Sequence, residues 1–135
     1  MRFKYSTNEL SQNEFDSMPR LPIRIERSGR QLDTLALVDS GAMMSVMPFN
    51  IGRQLGAVWD EREAKVPMGG IMRGSGGIPL LVSAKVGEYS PINLIFAWIK
   101  RNDVPLILGE IDFFLQFQVC FYRYALEFEV IPREQ

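Results

Sequence analysis

The alternation of apolar and polar residues predicts two paired strands early in the chain. Residues 23–26 read Ile-Arg-Ile-Glu, a period of two that is typical of a strand with one exposed face. Ser28-Gly29 follows, a dipeptide that suits a hairpin turn. The apolar run after this turn predicts a second, more buried strand over residues 32–38.

The rest of the chain continues with short apolar segments separated by turn residues. Further strands are predicted over residues 80–86, 92–99 (apolar on both faces), 117–121 and 126–130. Short helices are expected over residues 49–55, where Gly56 would end the helix, and within residues 110–117. Many short strands with close turns predict an all-β fold, a compact barrel or sandwich with one or two short helices.

Length and composition narrow the class of protein. A chain of 135 residues is expected to hold one domain, which we place at residues 20–135, after a polar and flexible N-terminal arm over residues 1–19. The net charge of -1, without a basic block, argues against nucleic acid and anionic membranes as partners. The most apolar stretch, residues 92–99, is too short to cross a bilayer. A lone cysteine, Cys120, and no recognisable signal peptide predict a cytoplasmic location.

Two absences limit the chemistry. The chain has no histidine, which excludes Ser-His and Cys-His nucleophiles and histidine-containing metal sites. The single cysteine excludes thiolate metal clusters. We therefore expect no metal and no cofactor, and an enzymatic site would have to use Asp, Glu, Lys, Tyr or Ser.

The candidate for that chemistry is Asp39-Ser40-Gly41, which follows the apolar run of residues 35–38. A carboxylate at the end of a strand buried on both faces costs several kcal/mol unless it is paired. A simple turn is an alternative, because Asp and Ser bond nearby backbone and Gly accepts a positive φ. A phosphorylated degradation signal that includes Ser45 is another, although it would need an exposed segment, and this one lies between apolar runs.

Two later segments give this triplet a context. Residues 66–77 contain five glycines, a composition that disfavours a strand interior and suits a mobile hairpin tip. Further on, Ile107-Leu108 runs into Gly109 ahead of the second predicted helix. That second segment, taken alone, also fits an ordinary strand end.

In this order the segments resemble the retropepsin family, the single-domain aspartic proteases of retroviral type. The matching stretches are residues 36–42, residues 68–72, and residues 106–109 with 112–114, and the resemblance covers roughly residues 20–130. It implies a closed or partly open β-barrel that hydrolyses peptide bonds with water activated by paired aspartates. Since the chain has a single Asp-Ser-Gly, it also implies a homodimer in which each subunit supplies Asp39.

The resemblance also implies a role for each matching position. Asp39 would be catalytic. Support of the active-site loop would come from Ser40, Gly41 and Ala42, and the flap over the substrate would contain Gly69, Gly70, Ile71 and Met72. Packing against the active-site loop would come from Ile107, Leu108 and Gly109. The partner molecules would be a second copy of the chain and a peptide or protein substrate.

The sequence departs from the family at three places, one of which is the flap, with Arg73 and extra glycines. Met43 and Met44 stand where viral members carry acidic residues that bind the substrate backbone, so more apolar subsites are expected. Dimers of the family often pair the chain ends of the two subunits in a sheet. Pro132 has no N–H to donate to such a sheet, so a differently built dimer interface is expected here. A non-catalytic retropepsin-like domain for dimerisation or for binding extended peptides remains open, as does an unrelated β-barrel binding module.

Overall fold

The computed structural model describes residues 1–7, 16–70 and 76–133. Two short helices lie in these ranges, α1 (Phe49–Gln54) and α2 (Phe113–Gln116), with 3-10 turns at Glu61–Glu63 and Arg123–Ala125. The strands are β1 (Arg2–Lys4), β2 (Arg20–Arg27), β3 (Arg30–Val38), β4 (Val46–Met47), β5 (Val66–Pro67), β6 (Gly76–Lys85), β7 (Ile92–Ile99), β8 (Ile107–Leu108), β9 (Phe117–Tyr122) and β10 (Glu127–Pro132).

Six of the strands close into a β-barrel, which confirms the predicted fold class. The order around the barrel is β2-β3-β8-β4-β7-β6, and β6 pairs again with β2 to close it. Strand β5 extends the sheet beyond β6. The two-residue strand β8 lies between β3, to which it is parallel, and β4, to which it is antiparallel.

The predicted hairpin is formed by β2 and β3. Ser28 and Gly29 both have positive φ, 50° and 81°, as a two-residue turn with matching twist requires. Strand β3 is less buried than predicted, because only its inward face reaches the core. Ala36 and Val38 are buried, whereas Leu35 on the other face is 50% exposed.

The barrel core is capped by α1 through an aromatic cluster. The Phe49 ring stacks on Trp98 with 5.6 Å between ring centroids, and the Trp98 indole N–H donates to the Phe49 carbonyl at 3.1 Å. A Cβ on Gly52 would overlap the Trp98 ring, so the helix can lie this close only with glycine there. The predicted helix of residues 49–55 is thus present, and Gly56 follows it with φ of 81°.

A second sheet has the order β1-β10-β9 and corrects the expected N-terminal arm. Residues 2–4, predicted as part of a flexible arm, form β1 opposite Glu127–Glu129 of β10, and the Phe3 ring stacks on the buried Phe128 at 5.4 Å. The arm's polar sequence gave no sign of a strand because its partner lies at the other end of the chain. Residues 8–15 lie outside the described residues, and the assignment of residues 20–135 to a single domain stays a prediction.

The glycine-rich hairpin is partly a strand. Strand β6 begins at Gly76, opposite Pro67 of β5, although glycines were expected only at a hairpin tip. The reason is close packing, since a Cβ on Gly76 would overlap the Ala64 carbonyl oxygen. Residues 71–75 lie outside the described residues, so the predicted mobile tip remains a prediction.

Two other elements differ in detail from their predictions. The strand over residues 92–99 has its predicted bounds, but its outer face is open and Ile95 is 47% exposed. The second helix is shorter than residues 110–117 and spans Phe113–Gln116. Among the described residues no helix has the length and apolar character needed to span a membrane.

Candidate active site

Asp39 is the first residue after β3 and lies at one end of the barrel. Its N–H donates to the Leu108 carbonyl at 3.0 Å, which continues the parallel pairing of Val38 with Leu108. The side chain is half-buried. Strand β8 thus holds the backbone of Asp39 in place while its carboxylate stays accessible.

The residues after Asp39 turn back on its side chain. The Gly41 N–H donates to Asp39 Oδ1 at 2.8 Å, and the Ala42 N–H donates to the Asp39 carbonyl at 3.2 Å. A Cβ on Gly41 would lie 3.2 Å from Asp39 Oδ1, a tight contact. The turn considered in the sequence analysis is therefore present, and it fixes the orientation of the carboxylate. Ser40 is exposed at its tip.

A second loop, around Gly109, crosses this turn. The Glu110 N–H donates to the Ala42 carbonyl at 2.8 Å, and the Gly109 N–H donates to the buried hydroxyl oxygen of Ser45 at 3.1 Å. A Cβ on Gly109 would lie 2.5 Å from the Met44 carbonyl oxygen. The crossing therefore requires glycine at position 109.

Ser45 was not predicted as a site residue. Its side chain is fully buried, and it links the two loops. The sequence offered one signal, a hydroxyl in the middle of the apolar run of residues 43–47, since a buried polar group needs a hydrogen-bond partner.

A cleft of about 470 Å³ opens beside Asp39. It brings the predicted loop and the described part of the predicted flap together. Its lining residues are Asp39, Gly41, Ala42, Met43, Met44, Val46, Pro67, Met68, Gly69, Gly70 and Ile107. Ser40, Leu108 and Gly109 do not line it, and Ile71 and Met72 lie outside the described residues. Among the described lining residues, Asp39 has the one ionisable side chain, so this part of the wall is mainly apolar.

A second carboxylate, Asp112, lies at the start of α2 and away from the cleft lining. Its Oδ2 accepts a hydrogen bond from the Ile95 N–H at 3.1 Å. Its Oδ1 is buried and has no hydrogen-bond partner among the described residues. Burial raises the pKa of Asp112, and the hydrogen bond from Ile95 opposes part of that rise. Within the described residues, no group of three or more His, Cys, Asp or Glu could hold a metal ion.

Comparison with solved structures identifies a protein of similar fold. No protein-family model and no curated protein sequence matches the chain. Among solved structures, the chain is similar to an EIAV protease, a retroviral protease, complexed with the inhibitor HBY-793. The TM-score is 0.53 with 20% sequence identity, over 78% of this chain and 88% of that chain. At this identity the similarity establishes a shared β-barrel fold.

Proposed function

We propose that the chain is an aspartic endopeptidase of retropepsin type that acts as a homodimer, with Asp39 from each subunit. One observation carries the proposal: the Asp39 carboxylate, oriented by the Gly41 N–H at 2.8 Å, lines a cleft together with Gly69 and Gly70. The retroviral protease fold of the barrel supports it.

The chemistry requires two carboxylates in different protonation states. Two carboxylates about 3 Å apart share one proton because they cannot both ionise cheaply. The ionised Asp39 takes a proton from water, whose oxygen attacks the scissile carbonyl carbon. The protonated Asp39 of the partner subunit hydrogen-bonds the carbonyl oxygen as negative charge develops there. Collapse of the tetrahedral intermediate breaks the C–N bond, and the amine leaves with a proton from the aspartate pair.

The cleft lining favours an apolar substrate segment. Met43, Met44 and Met68 contribute flexible thioether side chains, which adapt to apolar groups of different shape. Met43 is 69% exposed and therefore accessible to a bound peptide. We propose as substrate an extended polypeptide with apolar side chains around the scissile bond.

The test is cleavage of an unfolded protein substrate across the acidic range, from about pH 3 to about pH 6, because the proposed step needs one carboxyl of the pair protonated. Asp39→Asn is expected to lower the rate about 10³-fold or more. Asp33→Asn is the matched control, because Asp33 lies on β3, the strand that leads to Asp39, is exposed, and pairs with Arg24 at 2.8 Å outside the cleft.

Three other results would lead to different conclusions about the protein. Undiminished cleavage by Asp39→Asn would overturn the proposal. Equal losses in both variants would point to lost folding. A wild-type protein that dimerises and binds apolar peptides but cleaves none at any pH would favour the non-catalytic, peptide-binding alternative.

A further inference from the structure

The Asp112 side chain takes a place in the sheet that a main-chain carbonyl would otherwise fill. The Ala97 N–H of β7 donates to the Ser45 carbonyl at 2.8 Å. In a regular parallel ladder the Ile95 N–H, two residues earlier, would then donate to the Met43 carbonyl. The Ile95 N–H instead donates to Asp112 Oδ2 at 3.1 Å. The Asp112 carboxyl therefore anchors the segment before α2 to β7.

The Met43 carbonyl is engaged by the same segment. It accepts a hydrogen bond from the Ile111 N–H at 2.7 Å, and the Ile111 carbonyl accepts one from the Ser45 N–H at 2.9 Å. These bonds hold Ile111 against the residues that directly follow the Asp39 turn. Asp112, the next residue along the chain, fastens the other side of this loop crossing to β7.

The elements around Asp112 offer its carboxyl no cation. Strand β7, α2 and the apolar run after the Asp39 turn contain no ionisable side chain. The two crossing loops carry Asp39 and Glu110, which are both acidic. The Arg133 guanidinium donates to the Leu115 carbonyl at 3.5 Å, near the opposite end of α2. In the described part of the chain, an ionised Asp112 is thus a partly buried charge without a countercharge.

Protonation of Asp112 removes the cost of this charge. Its Oδ1 is buried and has no hydrogen-bond partner among the described residues, an environment that suits a neutral carboxyl better than a carboxylate. Burial accordingly raises the pKa of Asp112, although the hydrogen bond from Ile95 opposes the rise. The neutral carboxyl still accepts from Ile95 through Oδ2, so protonation keeps the link to β7.

We propose that Asp112 is a positioning residue that acts in its protonated form. The neutral carboxyl stays between β7 and Ile111 and keeps the loop crossing closed on the Asp39 turn. When Asp112 releases its proton to solvent, the carboxylate moves toward water and the crossing loosens. The consequence for cleavage rests on the proposed function: ionisation of Asp112, besides that of the Asp39 pair, lowers the rate as pH rises.

The direct test is NMR across the range from about pH 3 to about pH 8 in the Asp39→Asn protein, where Asp39 no longer titrates. The Asp112 carboxyl carbon reports its protonation, with an expected midpoint above the usual value of about 3.9. The Ile111 and Ser45 amides report the loop crossing. Their hydrogen exchange, corrected for its intrinsic pH dependence, should become about tenfold or more faster above the Asp112 midpoint.

Two further variants serve as matched controls in the same Asp39→Asn background. Asp112→Asn is neutral at every pH and its side-chain oxygen can accept from Ile95, so both amides should keep their slow exchange. Asp33→Asn changes an exposed aspartate on β3 and should leave the pH dependence as it is. Amides that do not follow Asp112, or an Asp112 midpoint at or below about 3.9, would overturn the inference.

The pH profile of kcat/KM tests the effect on cleavage. On the alkaline side, Asp112→Asn should cleave about threefold or more faster than the wild type, because it cannot ionise. Asp112→Leu cannot accept from Ile95 and should lose about tenfold at acidic pH, a loss that a general effect of losing the charge would also cause in Asp112→Asn. Circular dichroism would check that Asp112→Leu folds, and the NMR experiment decides the matter if it does not.

The outcomes separate this inference from the proposed function. A protein whose Ile111 and Ser45 amides follow Asp112 but which never cleaves would keep the loop coupling and overturn the protease. A protease whose pH profile is the same in the wild type and in Asp112→Asn would overturn the positioning role and leave the protease intact.

Discussion

The Gly109 N–H donates to the Ser45 hydroxyl oxygen at 3.1 Å in the protein interior, across 64 positions of sequence. We expect Ser45→Ala to lower the free energy of unfolding by about 1–3 kcal/mol, because it leaves a buried N–H without a partner. Urea denaturation measures this change. Ser83→Ala, at a half-buried position of β6, should cost less, and equal losses would show that the Ser45 bond contributes little.

Gly109 and Gly69 differ in the space around them. A Cβ on Gly109 would lie 2.5 Å from the Met44 carbonyl oxygen, whereas a Cβ on Gly69 would meet nothing within 4 Å. We expect Gly109→Ala to destabilise the fold by about 3 kcal/mol or more, and Gly69→Ala to change stability by less than about 0.5 kcal/mol. Thermal unfolding of both variants tests this, and a well-folded Gly109→Ala protein would contradict the tight loop crossing.

Asp112 gives a prediction for pH dependence. Burial raises the pKa of its carboxyl in the folded protein. At pH values between the usual pKa of an aspartate, about 3.9, and this higher pKa, the folded protein therefore binds more protons than the unfolded chain. The contribution of Asp112 to stability is therefore lost as pH rises through this window. Asp112→Asn should remove that loss, while its side-chain oxygen can still accept from Ile95.

The measurement for Asp112 is the difference in urea midpoint between wild type and variant across the acidic range. Asp33→Asn serves as a control of opposite sign, because the hydrogen bond from Arg24 lowers the pKa of Asp33. Asp33 contributes stability as pH rises, though little, since it is exposed. A midpoint difference between Asp112→Asn and wild type that does not change with pH would contradict the raised pKa of Asp112.

Elements built from local contacts could be predicted from the sequence. The β2–β3 hairpin is specified by its alternation and by Ser28-Gly29, and α1 by a stretch that Gly56 ends. Features set by distant partners could not be predicted. Strand β1 exists because β10 covers one of its edges, and Leu35 is exposed because the closed barrel has a single interior.

The residues of the candidate site show the same difference between local sequence signals and contacts set by distant parts of the chain. Asp39 was singled out because a carboxylate is unusual at the end of an apolar run, and Gly109 was singled out through the resemblance to the retropepsin family. The structure brings their two loops together. The link through Ser45 depends on the depth at which the loops cross, which short-range patterns do not contain. The roles of Ile71 and Met72 stay predictions.

Strand β8 has a consequence for the order in which the protein folds. The main-chain hydrogen bonds of Leu37 and Asp39 to residues 106 and 108 join parts of the chain that are far apart in sequence. Contacts of this kind form late in folding, because a long loop must close before they can form. A nascent chain that ends before β8 would hold Asp39 without its neighbouring strand and without the Gly109 crossing. The proposed protease would therefore be inert during most of its own synthesis.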